Sequence, residues 1–330
     1  MTVYTSQPSV RLRDYRLGRG VSWESLDERV SRLVGAEAVA VPSVRVAVLW
    51  ILEHLGLNRH ADEILVPRFL GRCILNVLGR CALPVQSISS RTRVALVVHQ
   101  FGFLQNLPMI ESDLAKSRIE YVEDSPAGLD FKEGYGPRSL GRLIALSKFL
   151  PVLKGGIFLS PHPNLLEFLR RKRSGRSPWS WVIFPVLAYC RWRCLMPLHV
   201  GWADALYELY PLSPADNRFL RKNFCKGLER VESYQCVTER RLQYVSSRLG
   251  ERALLPDLQR VTSIVPLVAD GIEEKVRTIL ARHRMDSSLY HFDEATNLLH
   301  PQYRQMFLIP LNPTIPQEVF ESLVADLARA

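Results

Sequence analysis

None of the six cysteines (Cys73, Cys81, Cys190, Cys194, Cys225, Cys236) falls in a Cys-x-x-Cys pair. That spacing argues against a disulfide framework or a structural zinc site, and reduced cytoplasmic thiols are the expectation. A secretory leader is missing too, because Met1 to Gly20 is polar and arginine-rich. There is no internal repeat, no low-complexity tract and no aromatic-interleaved nucleic-acid motif. The one long apolar run, Trp179–Val200, is interrupted by Pro185, Arg191, Arg193 and Pro197. It reads as a buried or interface segment rather than a transmembrane span. What is present is a chain of 330 residues, 47% hydrophobic and 23% charged, ordinary globular composition with enough length for a sizeable core. The net charge of +10 is densest at Arg170-Arg171-Lys172-Arg173 with Arg176, and at Arg218, Arg221, Lys222 and Lys226. Such clusters suit an anionic partner or, more plainly, a solvated helix end and linker; nucleic acid is not expected.

Short β-branched runs alternate with helical patterns through the first half. Strands are expected at 37–41, 63–66, 83–87, 94–99 and 118–123, the last ending at Asp124. Helices are expected at 43–55 with Ser43 as N-cap, at 69–78 and at 108–116. Runs at 140–146 and 156–160 frame a turn containing Lys148, and a helix follows at 163–171. This rhythm predicts an α/β fold, a three-layer, mostly parallel sheet with helices on both faces. Its ligands would sit at the carboxyl ends of strands, where Asp124 falls. A long charged helix over 218–249, broken near Gly227, leads into a smaller α+β unit with elements at 263–269, 272–282, 305–310 and 316–328. The expected organisation is an N-terminal arm (1–25), a large domain (26–217), and the long helix with a small C-terminal domain (218–330).

The chemistry-bearing stretch is Ser147-Lys148-Phe149-Leu150-Pro151-Val152-Leu153-Lys154-Gly155-Gly156, read with Glu123-Asp124 upstream. A carboxylate ends one apolar run, a lysine sits in a turn, and a glycine pair opens the next run. Lysine forms an imine with an aldehyde, and aspartate pairs with a protonated ring nitrogen. Those are the two groups that make pyridoxal phosphate an electron sink, and the pattern points to a buried site for that cofactor.

These landmarks occur in the order found in the DegT/StrS-type sugar aminotransferases, fold-type-I pyridoxal phosphate enzymes. Gly35-Ala36-Glu37-Ala38-Val39-Ala40-Val41-Pro42-Ser43 resembles that family's entry strand and phosphate turn. Asp62-Glu63-Ile64-Leu65-Val66-Pro67 resembles its "DEVIVP" strand, Val97-Val98-His99-Gln100-Phe101-Gly102 its "VHLYG" segment, and Val122-Glu123-Asp124-Ser125 its "IEDAA" segment. Ser139-Leu140-Gly141 is similar to its "SLGD" approach to the lysine, and Phe307-Leu308-Ile309-Pro310-Leu311-Asn312-Pro313 to its closing segment. The resemblance implies a transaminase that turns a keto-sugar, carried on a nucleotide, into an amino-sugar at the expense of an amino-acid donor. It also implies a homodimer whose site is completed by the partner subunit. Lys148 matches the imine lysine and Asp124 the partner of the pyridine nitrogen. His300 matches a histidine near the entrance of the C-terminal domain, and Asn223 is the candidate for the residue a partner subunit contributes.

Departures from the family are expected to matter. The phosphate turn, Ser-Gly-Thr in the family, is Ser43-Val44-Arg45 here. Valine crowds the backbone approach to a phosphate, while Arg45 can replace the lost contact as a charged donor or fill the space itself. The ring-stacking aromatic position is Gly71, with Phe69 near in sequence. Positions 143–146 are Leu-Ile-Ala-Leu, without the family's hydroxyl. The alternative to catalysis is a binding or regulatory homologue whose cofactor shell has decayed. A dehydratase on the same fold would place histidine where Lys148 stands. His99, at a strand end, is either a cofactor contact or a structural histidine.

Overall fold

The computed structural model describes residue 4 and residues 20–128, 134–152, 155–174, 218–255 and 261–330. The Trp179–Val200 stretch, Arg176 and Lys154 lie outside the described residues. Seven strands form the main sheet: β1 (Ala38–Val41), β2 (Glu63–Leu65), β3 (Leu83–Val85), β4 (Thr92–Val98), β5 (Glu120–Ser125), β6 (Ser139–Ala145) and β7 (Gly156–Leu159). Their order is β1-β7-β6-β5-β4-β2-β3. Strands β6, β5, β4, β2 and β3 pair in parallel, while β7 runs antiparallel to both its neighbours. The expected α/β sheet is therefore present, with one reversed strand. Its middle member β5 is buried from Tyr121 onward, as a central parallel strand with covered faces should be.

Helix α1 (Trp23–Val34) begins inside the segment read as an arm, and Ser22 caps it through the backbone N–H of Ser25. Helix α2 (Val44–His54) follows β1. The Ser43 hydroxyl accepts from Val46 N at 3.2 Å, and every residue from Val44 to Leu52 is buried. An all-round apolar helix can be stable only inside the molecule, and α2 packs against α3 (Arg72–Leu78) and, further on, α5 (Pro163–Arg173). Helix α3 is shorter than expected, because Gly71 is its N-cap and residues 69–70 stay outside it. Helix α4 (Leu107–Lys116) covers the opposite face, where Ile110 and Leu114 pack with Val97 and Tyr121.

The basic run at the end of α5 is not a solvated helix end. Arg173 is buried and meets Asp27 through two contacts of 2.6 Å, while Arg170 pairs with Asp27 and Glu37. Lys172 reaches Glu53 and Arg171 lies 3.9 Å from Glu167. The charge holds α1, β1 and α5 together instead of offering an anion-binding surface.

Helices α6 (Arg218–Leu228) and α7 (Val231–Leu249) replace the single long helix, with the break just beyond Gly227. The C-terminal unit is a three-stranded antiparallel sheet in the order β8 (Ile264–Leu267), β10 (Tyr303–Pro310), β9 (Tyr290–Asp293). Helices α8 (Glu273–Arg282) and α9 (Gln317–Ala328) share its core with α7. Among the described residues no helix is long and apolar enough to cross a membrane.

Candidate active site

A cavity of about 490 Å³ opens at the carboxyl ends of the central strands, between the two sheets. Its volume falls in the usual range for small-molecule sites. Six of the residues singled out in the sequence line it: Ser43, Val44, Arg45, Phe69, Asp124 and Lys148. The start of α2 supplies the first three. Arg45 is 5% exposed, so its charge belongs to the cavity and not to solvent. The Val44 side chain fits because Gly156 faces it; a Cβ there would lie 2.8 Å from Val44 Cγ2. The neighbouring Gly155, with φ +139°, takes a conformation that favours glycine.

Asp124 sits at the end of β5, and its carbonyl accepts from His99 N at 2.9 Å. The side chain is 4% exposed and Oδ1 has no hydrogen-bond partner. Burial pushes the carboxyl up to about 7, opposed only by the charge of Lys148, which places those two groups in electrostatic reach. Lys148 closes the short 3-10 turn Leu146–Lys148 after β6 and is half-buried. The next residues, Phe149 and Leu150, turn inward and anchor the lysine's backbone through N–H bonds to Leu146 O.

The preceding residue behaves differently. Glu123 points to the other face of the sheet, as strand alternation requires, and is fully buried. Burial alone would raise its pKa, yet the hydrogen bond from His99 and the charge of Arg142 hold it down at about 2. His99 Nδ1 accepts from Gln105 N at 3.1 Å, so Nε2 carries the proton and donates to Glu123 at 2.9 Å. Arg142 Nε and Nη2 and the Gly136 N–H complete the shell. His99 is thus a structural histidine outside the lining of the cavity. His300 is exposed and Asn223, on α6, is buried; neither lines the cavity.

The small sheet supplies a wall that sequence reasoning did not assign. Phe69 stacks on His291 of β9 with centroids 3.7 Å apart and planes at 6°, and meets Tyr303 edge-on. Phe101 has φ +53°, a left-handed conformation uncommon for a bulky residue. Its carbonyl accepts from Thr262 Oγ1 at 2.7 Å, and a Cβ on Gly102 would strike the Thr262 side chain at 2.8 Å. Ser263 and Tyr290 also line the cavity. The Phe101-Gly102 pair in the "VHQFG" segment was a usable signal, whereas Ser263 carried none. An amine, an isolated acid and a helix start with a buried guanidinium, gathered in one cavity, match a ligand bearing a carbonyl, a basic ring nitrogen and a phosphate.

This sheet order, with its ligand cavity at the strand ends and a small antiparallel domain beyond, is that of fold-type-I pyridoxal phosphate enzymes. A family model described as "Putative PLP-dependent aminotransferase" matches residues 33–330, and the chain belongs to that family. Solved structures agree in fold at low identity. The aminotransferase TlmJ from Streptoalloteichus hindustanus is 17% identical, with 99% of this chain and 98% of that one covered and a TM-score of 0.67. Helicobacter pylori PseC, an aminotransferase involved in pseudoaminic acid biosynthesis, is 12% identical over 99% and 98%, with a TM-score of 0.63. DesI, determined in the presence of its TDP-sugar product, is 13% identical over 99% and 92%, with a TM-score of 0.65. No curated protein matches the sequence significantly.

Proposed function

We propose that this aminotransferase acts on a keto-sugar carried on a nucleotide, working as a homodimer in the cytoplasm. The net exchange is donor amino acid plus keto-sugar to keto acid plus amino-sugar. The observation that carries the reading is the convergence of Lys148 and Asp124 in one cavity headed by the start of α2. When bound, pyridoxal phosphate supplies the electron sink for charge developing at the reacting carbon. Lys148 Nζ is the nucleophile for its aldehyde and, once released, the base that moves a proton between substrate and cofactor carbons. Asp124 keeps the ring nitrogen protonated; a cation beside it favours the carboxylate that burial alone disfavours. The backbone N–H groups at Ser43 and Val44, the α2 dipole and the Arg45 guanidinium hold the phosphate. Phe69, stacked on His291, stands at the mouth toward the substrate. His99 acts on the site only through Glu123, and His300 and Asn223 have no part in this scheme.

The sugar assignment draws support from the sequence motifs and from the sugar-pathway descriptions of PseC and DesI. Protein purified and mixed with pyridoxal phosphate should show a visible absorption band that borohydride removes and that Lys148→Ala lacks. No band in the wild type under excess cofactor would overturn the reading. For the substrate, enzyme first converted to its amine-loaded form by an amino acid should regain the band with a nucleotide-linked keto-sugar and not with the free sugar.

A further inference from the structure

Ser263 immediately precedes β8 and is 3% exposed, yet its Oγ meets no hydrogen-bond partner. Its backbone is fixed on both sides: the N–H donates to Ala127 O at 3.1 Å and the carbonyl accepts from Leu311 N at 2.9 Å. The adjacent Thr262 hydroxyl turns away and sits among the carbonyls of Phe101, Ala127 and Ile264. Ser263 is left facing the cavity that holds Lys148 and Asp124. Buried hydroxyls nearly always find a partner, because desolvating one without a bond is unfavourable. The turn after Asp124 lends this part of the lining only Pro126 and Ala127, so no side-chain donor comes from the large sheet there. Depth decides between ligands. Ser263 is bonded to Ala127, three residues past Asp124, whereas the half-exposed Phe69 and His291 stand where a substrate enters.

We infer that the Ser263 hydroxyl is a hydrogen-bonding contact for bound pyridoxal phosphate, given by the small sheet to a site otherwise built by the large one. This rests on the cofactor placement proposed above. The experiment is an absorbance titration of wild type and Ser263→Ala with pyridoxal phosphate, together with melting temperatures with and without it. The variant should bind about two- to tenfold more weakly, the effect of one neutral hydrogen bond. Its melting temperature without cofactor should equal or exceed that of wild type, because the substitution removes an unsatisfied hydroxyl, while the cofactor-induced rise shrinks. Unchanged affinity, or an equal fall in both melting temperatures, would overturn the inference and leave the cofactor site standing. A wild type that shows no saturable band would instead sink the cofactor placement on which it depends.

Discussion

The two faces of β5 treat adjacent carboxylates in opposite ways. Behind the sheet, Glu123 receives four donors, from His99, Gly136 and both bonding nitrogens of Arg142, and stays charged with no solvent contact. In front, Asp124 is almost as deeply buried but keeps a bare oxygen, held near an amine it does not neutralise. Saturated polar groups specify structure; unsaturated ones in a cavity wait for a ligand. One peptide step, and the alternation it imposes, separates a structural charge from a chemical one.

That contrast can be broken experimentally. The largest effect is expected at Lys148 on the front face. Lys148→Ala should lower transamination at least about 10³-fold, the scale of a lost general base, while denaturant melts barely move. Next comes the rear. Glu123→Ala leaves the Arg142 charge buried and unpaired, and should cost roughly 3–5 kcal/mol in urea unfolding. A melt that barely shifts would mean the rear network is not structural.

pH separates the same two residues. Asp124 has a folded pKa of about 7, above its unfolded value near 3.9. The folded cofactor-free protein therefore binds the extra proton, and its stability should fall as pH rises from about 4 through 7, by at most roughly 4 kcal/mol. Asp124→Asn should erase that slope. Glu123 has the opposite sign, with a folded pKa of about 2. Its contribution is complete above about pH 4.3 and is lost as pH falls toward 2. The smallest effect belongs to Arg171, 71% exposed and 3.9 Å from Glu167. Arg171→Ala should change stability by less than about 0.5 kcal/mol, unlike its buried neighbour Arg173.

Much of the main sheet was legible because Val-, Ile- and Leu-rich runs of strand length alternate with capped helices; Ser43 was recognisable as an N-cap from residue type alone. Strand β9, Tyr290–Asp293, was not, since Tyr-His-Phe-Asp shows no clean alternation and is held by pairing with β10. The break in the long helix was placed to within a few residues because Gly227 and its surroundings disfavour helix. The site divided along another line. Lys148 and Asp124 were readable because their chemistry demands those residue types beside apolar runs. His99 was ambiguous, because its partner Glu123 is adjacent only in space. Ser263 was invisible: one serine among many becomes distinctive only when folding denies its hydroxyl a neighbour.

The bond from Thr262 to the carbonyl of Phe101, reinforced by Gly102 packed under the threonine, ties the two sheets at the base of the cleft. At the rim they touch through the flat faces of Phe69 and His291. The molecule is thus riveted at one end and merely clasped at the other. Traffic in and out has its easiest route past two aromatic shutters, whose parting disturbs neither the acid nor the amine below.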